Sequence, residues 1–379
     1  MSDTTATAAF RLYRDVPFFG SLNGLRVLCV SMVIWHHSPA RGSLEDRSAL
    51  LNAGYTGVDF FFVLSGFLIT TLLLREEARA GRFSLPDFYW RRILRIVPVY
   101  FLVVSAVAGY YILIKGETQY IEVLPYYYLF LSNFLSDGIG LLSITWSLAV
   151  EEQYYLIWPV LLLLLPMAGR LRACSRPLGP FSPVGMFAAF VVGASLGVGV
   201  PAEGAEVSIL MYLPLSSYAG LLIGSLIAWA LHCPKGFAWF YGFVGWRIAP
   251  LATFVLLALA LSTYPGALWG WGNLLVHSLM ALCIASIVVR EDHVLSTFLS
   301  FRPIARLGEI SYGIYLYHLI GLHVASLFLA DAGPWVLTLG MIAVTVVISE
   351  LSFRFFESHF LRLKHHRPRP WSKAKASGN

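Results

Sequence analysis

Charge is scarce in this sequence. Only 13% of its 379 residues are Asp, Glu, Lys or Arg, about half of the roughly 25% found in soluble globular domains, so a water-facing globule is excluded. Cysteine is scarce as well. The four residues Cys29, Cys174, Cys233 and Cys283 form no C-x-x-C pair and no Cys/His metal spacing, which predicts free thiols and no metal site. Internal repeats are lacking. Disorder is excluded by 58% hydrophobic residues, among them 26 Phe, 19 Tyr and 11 Trp. The net charge of +6 is no nucleic-acid footprint, because the basic residues sit in short clusters between apolar runs, as in a membrane protein. The apolar run after Arg26 lacks a small-residue cleavage site and reads as a retained helix, not a signal peptide.

What is present is a series of apolar runs of spanning length. A transmembrane helix needs about 17–25 such residues, and runs occur near 22–38, 53–74, 96–114, 147–167, 181–201, 207–231, 248–263, 270–289, 311–330 and 334–353. The expected fold is therefore an all-α polytopic membrane helix bundle of about ten spans. Residues 120–135, interrupted by Pro125, form a re-entrant or interfacial segment on the outer face. With both termini cytoplasmic, one side of the membrane holds 24 of the 27 Lys and Arg, and only Arg41, Arg47 and Lys115 fall on the other. An extra crossing at 120–135 would move Arg170, Arg172 and Arg176 outside. Residues 1–361 form the transmembrane domain and 362–379 a flexible basic tail that touches anionic lipid.

An ionisable side chain in hydrocarbon costs at least about 2.5–3.5 kcal/mol, so each needs a partner, a wet cavity or a task. Arg26 and His37 are eleven residues apart in the first span. Eleven steps of about 100° return to within about 20° of one face, some 16 Å along the axis. His36 lies off that face. Asp59, just inside the second span, is expected at the depth of His37, where a carboxylate would orient the imidazole as in base dyads, or else form an ion pair made only for solvation. In the fourth span Glu151 shares a face with Tyr155, while Glu152 points elsewhere, towards solvent. Arg92 and Arg95 lie three apart at the inner face and suit either a phosphate-bearing ligand or anionic lipid head groups, which spacing alone does not separate. Ser311, Tyr315 and His318 form one polar stripe in the ninth span. His277 has weaker company and reads as structural.

Five segments in order resemble the acyltransferase-3 family of integral-membrane acyltransferases, which modify bacterial surface polysaccharides, lipopolysaccharide, Nod factors and macrolides. They are Arg26-x10-His37, GVDFFFVLSGFLIT (57–70), FYWRRILRIVPVY with Arg92 and Arg95, WSLAVEEQYYLIWP (146–159) and LGEISYGIYLYH (307–318). The resemblance covers most of the chain. It implies transfer of an acyl group, usually acetyl from acetyl-CoA, to a hydroxyl of a carbohydrate or glycolipid acceptor in a bacterial inner membrane. It also implies His37, Asp59 and Glu151 as catalytic residues, and Arg26, Arg92, Arg95, Ser311, Tyr315 and His318 as substrate-binding ones, with no metal and no nucleic acid. Two departures concern the acceptor: Asn23 stands where the family often has an acidic residue, and LPLSSYAGLLIGSL in the sixth span lacks an arginine. No appended hydrolase-like domain is seen, so the chain is expected to work alone or with a separate partner.

The expected mechanism docks CoA phosphates on Arg92 and Arg95, threads the thioester towards the Arg26–His37 face, and uses His37, oriented by Asp59, to deprotonate the acceptor while Glu151 assists. A covalent acyl-imidazole on His37 is the alternative to direct transfer. The rival class is a transporter or flippase of a polar envelope precursor, because intramembrane charge also marks substrate pathways; no matching Gly/Pro-interrupted helices occur in two halves. A lipid acyltransferase of the soluble His-x4-Asp type is disfavoured, since Gly42 stands five residues after His37.

Overall fold

Turn chemistry divides the chain where the apolar runs end. The computed structural model describes residues 3–44, 48–164, 193, 215–263 and 270–365, and these are helical with no strand among them. An amphipathic helix α1 (Asp3–Asp15) precedes α2 (Ser21–His37) and the long α3 (Thr56–Ala80). Gly81 ends α3 in the left-handed region, at φ 75°, which costs glycine nothing. Ser84 then opens α4 (Leu85–Gly109) by accepting from the Asp87 backbone N–H at 3.4 Å, with Pro86 in the first turn. After α5 (Thr145–Leu164) come α6 (Leu215–His232) and α7 (Pro234–Val244), bent by 105° across Cys233–Pro234, where proline interrupts the helical hydrogen bonding. The rest comprises α8 (Ala249–Thr263), α9 (Gly270–Val288), α10 (Arg302–Glu309), α11 (Ser311–Leu329) and α12 (Pro334–Ser352).

Nine of the ten expected spans overlap described helices, two of them in part because 165–167 and 207–214 are not described; the one at 181–201, with the loop 168–180, Cys174, Arg47 and the tail beyond His365, lies outside the described residues. Five helical stretches are long and apolar enough to cross a membrane, or six if the bent α6–α7 pair counts as one span, and they make the chain an integral membrane protein. The expectation of about ten is thus met only in part: α2 and α8 are 17 and 15 residues long, and α5 carries Glu151 and Glu152 at mid-length. Residues 118–134 are a series of helical turns of at most five residues, so this segment does not cross as one helix. The expectation of free thiols holds for the buried Cys29 and Cys283 but not for Cys233, which is disulfide-bonded.

Two apolar cores meet along α2. Leu22, Leu25 and Cys29 belong to the core built on α3 and α5 to α9, whereas Val30, Val33 and Ile34 belong to the one built on α4, α11 and α12. The α2 helix is therefore the seam of the bundle. In the first core α3 and α6 approach backbone to backbone: a Cβ on Gly224 would lie 2.0 Å from the Val63 carbonyl oxygen, and one on Gly66 1.9 Å from that of Leu221. Hydroxyls bridge the same contact, with Thr70 donating to Ser225 at 2.8 Å and the Trp158 indole N–H to Thr70 at 2.8 Å. Gly224→Leu is expected to push α3 from α6 and destabilise the bundle by about 1–3 kcal/mol, the usual cost of overpacking. Heating the detergent-solubilised variant should reveal an earlier loss of the monodisperse species; an unchanged transition would show that the close approach is not needed. The α1 helix is tied down by Arg75, which donates to the carbonyls of Tyr13 at 2.5 Å and Val16 at 2.7 Å.

Candidate active site

A cavity of about 100 Å³ opens on the seam, walled by five helices. Each wall is a helical stripe. Val58, Phe61, Phe62 and Ser65 of α3 stand at i, i+3, i+4 and i+7, as do Leu148, Glu151, Glu152 and Tyr155 of α5. The α2 helix adds Arg26, α4 adds Arg92 and Arg95, and α11 adds Ser311, Tyr312 and Tyr315. The cavity thus holds three guanidinium groups and two carboxyl groups.

The arginines are sparsely partnered. Arg26 donates to Asn23 Oδ1 at 3.3 Å, from the residue that departs from the family's acidic habit. Arg92 lies over the rings of Tyr155, at 4.9 Å, and Phe88, at 5.8 Å. Among the described residues neither Arg92 nor Arg95 forms an ion pair or a hydrogen bond. Glu151 accepts from Ser65 Oγ at 2.6 Å and so does not neutralise them by direct contact. An unpaired guanidinium within a bundle is costly, and its five N–H groups are free for an anion.

The same three arginines also line a larger groove of about 540 Å³ with Arg75, Glu76, Arg79, Arg91 and Lys364. Arg91 is paired with Glu76 at 2.9 Å. The Lys364 amine is pushed down to about 8, first by burial and then by the nearby Arg95 and Arg92. The groove and the cavity therefore meet at Arg26, Arg92 and Arg95.

At the opposite end of α2 His37 is half-buried. Its Nδ1 lies 3.0 Å from the Val33 carbonyl oxygen and 3.2 Å from His318 Nε2. His318 Nδ1 lies 2.5 Å from the Tyr315 carbonyl oxygen. The Tyr315 hydroxyl meets Ser147 Oγ at 2.6 Å and the Ile144 carbonyl at 3.2 Å, so a single turn of α11 joins the cavity to the histidine pair.

Of the residues singled out in the sequence, Arg26, Arg92, Arg95, Glu151, Ser311 and Tyr315 are brought to one cavity, with His37 and His318 paired beside it. Asp59 is not brought to His37. It lies 3.4 Å from His277 Nε2 of α9, so the expected Asp59–His37 dyad does not form. Asp59 lies off the 58/61/62/65 stripe and faces α9. Glu152, expected in solvent, lines the cavity. Ser65, Ser147, Tyr312 and Lys364 were missed; the first two were legible as lone hydroxyls in apolar runs. Among the described residues no group of three His, Cys, Asp or Glu side chains is placed to hold a metal ion.

The helices thus place three arginines and a histidine pair along one seam of the bundle. A family model described as an acyltransferase domain matches residues 19–353, and the chain belongs to this acyltransferase-3 family. It is 30% identical to the peptidoglycan O-acetyltransferase OatA of Listeria monocytogenes over 89% of this chain and 55% of the relative. It is 28% identical to the putative peptidoglycan O-acetyltransferase YrhL of Bacillus subtilis, over 95% and 58%. It is 27% identical to the O-acetyltransferase OatA of Staphylococcus aureus, over 90% and 57%. The chain spans a little more than half the length of these curated relatives. No solved structure matches it.

Proposed function

We propose that the chain is a membrane O-acyltransferase that moves a short acyl group, acetyl, from acyl-CoA to a hydroxyl of a peptidoglycan-type glycan at a bacterial plasma membrane. The observation that carries this reading is the convergence of Arg26, Arg92 and Arg95, the last two without ion-pair or hydrogen-bond partners, on a cavity one helical turn from the His37–His318 pair. A polyanionic donor with a reactive thioester at the end of a long arm fits that layout: its phosphates neutralise the arginines while the thioester reaches the imidazole. The positive-inside distribution of Lys and Arg supports placing the arginine end at the cytoplasm, where CoA thioesters are made. The names of the relatives support acetyl as the group and a glycan as the acceptor.

In this reading His37 Nε2 takes the proton of the acceptor hydroxyl as the oxygen attacks the thioester carbonyl carbon. The C–O bond forms, the C–S bond breaks, and the proton passes to the leaving thiolate, giving an ester and free CoA thiol. Ser311 and the Tyr315 and Ser147 hydroxyls line the route of the acyl group, and Glu151 and Glu152 hold the cavity polar without cancelling its positive charge.

The test uses membranes containing the protein, labelled acetyl-CoA and peptidoglycan fragments, with released thiol and labelled glycan as readouts. Stoichiometric appearance of both is expected. Neither product with acetyl-, propionyl- or succinyl-CoA would overturn the reading.

Lys364 adds a pH dependence with a definite sign. With its amine at about 8, it is charged below that pH and loses charge above it. Phosphate binding favours the charged form, so donor affinity should be full near pH 7 and fall as pH rises through 8 to 9. Lys364→Met should flatten this fall in a competition assay with CoA; an equal fall in both proteins would remove Lys364 from the donor site.

A further inference from the structure

We infer that His318 is a positioning residue that, together with the Val33 carbonyl, holds His37 in the one tautomer with a free Nε2, taking the place that a carboxylate occupies in other base dyads. The inference rests on the reading of His37 as the base. It follows from hydrogen-bond directions. A carbonyl oxygen only accepts, so His318 Nδ1, 2.5 Å from the Tyr315 carbonyl, carries the hydrogen, and the Nε2 of the neutral ring is bare. That bare nitrogen lies 3.2 Å from His37 Nδ1, which in turn lies 3.0 Å from the Val33 carbonyl. Both neighbours of His37 Nδ1 are therefore acceptors. The nitrogen facing them carries a hydrogen, and the other ring nitrogen, Nε2, keeps its lone pair.

The chain of donors runs in one direction because a backbone carbonyl anchors each histidine. His318 is fully buried, and its ring lies 4.9 Å, centroid to centroid, from that of His37. The Tyr315 hydroxyl, bonded to Ser147 and to the Ile144 carbonyl, pins the turn of α11 that supplies the anchoring carbonyl. Among the described residues no carboxylate is bonded to His37, and Asp59 is beside His277. When His37 takes a proton at Nε2, the shared Nδ1 hydrogen spreads the positive charge towards His318, whose own Nδ1–H is already held by a carbonyl.

The experiment compares wild type, His37→Ala, His318→Leu and His318→Gln, each as the full chain in lipid nanodiscs. It measures acetyl transfer, donor KM and the rate at which diethyl pyrocarbonate modifies His37, read by peptide mass spectrometry. His318→Leu should lower kcat by about 10²-fold, the low end of what a general base contributes. It should leave donor KM within about twofold and slow modification of His37. His318→Gln, whose amide oxygen accepts the same hydrogen bond, should recover most of both. A His318→Leu variant with the kcat and His37 reactivity of wild type would overturn the inference, as would a folded His318→Gln variant as impaired as the leucine one. If the leucine variant does not fold, the glutamine variant decides alone. Wild-type transfer that survives His37→Ala would instead sink the reading of His37 as the base.

Discussion

Replacing His37 with alanine is expected to lower acyl transfer by about 10²- to 10⁴-fold, the range a positioned general base supplies. Donor affinity should change by less than about threefold. The split follows from the length of α2. Arg26 and His37 are eleven residues apart, which on one helix face is about 16 Å, and the arginine cavity is walled without any atom of His37. Loss of the imidazole therefore removes a proton acceptor and leaves the anion site standing. The measurement is thiol release at saturating acetyl-CoA together with CoA competition for labelled donor, at matched expression. If alanine raised donor KM at unchanged kcat, the histidine would be a ligand contact, and the base would have to be sought among Glu151, Glu152 and Tyr315. Acyl-labelled protein trapped without acceptor, and lost in the alanine variant, would point to a covalent acyl-imidazole on the same nitrogen.

Much of this site was legible in the sequence because helical periodicity fixes faces without coordinates. Arg26-x10-His37 gave one stripe, and Ser311, Tyr315 and His318 another; the structure joins them through His37 and His318. Two positions depart from what the same periodicity predicts. Glu152 stands at i+4 from Leu148, just as Tyr155 does from Glu151, and all four line the cavity; a pocket between five helices is wide enough to take both of two adjacent positions. Depth alone puts Asp59 beside His37. Depth sets height along the membrane normal and says nothing of azimuth, and azimuth turned Asp59 to the side of α3 that meets α9. Four and seven residues further along, Val63 and Gly66 meet α6. Lys364 was hidden in a run of basic residues that reads as a tail, and only the fold carries it to Arg92 and Arg95.

Arg95→Gln is expected to raise the donor KM by about 10- to 150-fold, from the roughly 1.5–3 kcal/mol that a hydrogen bond to a charged group contributes. Arg95 is the sharper probe of the pair because Arg92 also lies over Tyr155 and Phe88, so its loss changes packing as well as charge. Arg95→Lys should recover only part of the affinity, since an ammonium keeps the charge and loses the planar fork. Arg91→Gln is the control: that guanidinium is already paired with Glu76 and lines only the outer groove, so KM should stay within about threefold. The competing reading of the Arg92–Arg95 pair, a grip on anionic lipid head groups, makes the opposite forecast. It predicts that KM for the donor is indifferent to Arg95→Gln in vesicles of zwitterionic lipid and that any defect depends on the anionic lipid fraction. Measuring KM for wild type and variant across that fraction separates the two. A defect of constant size in every vesicle assigns the guanidinium to the donor, because three arginines sharing one cavity inside the bundle are neutralised by what enters it and not by what surrounds it.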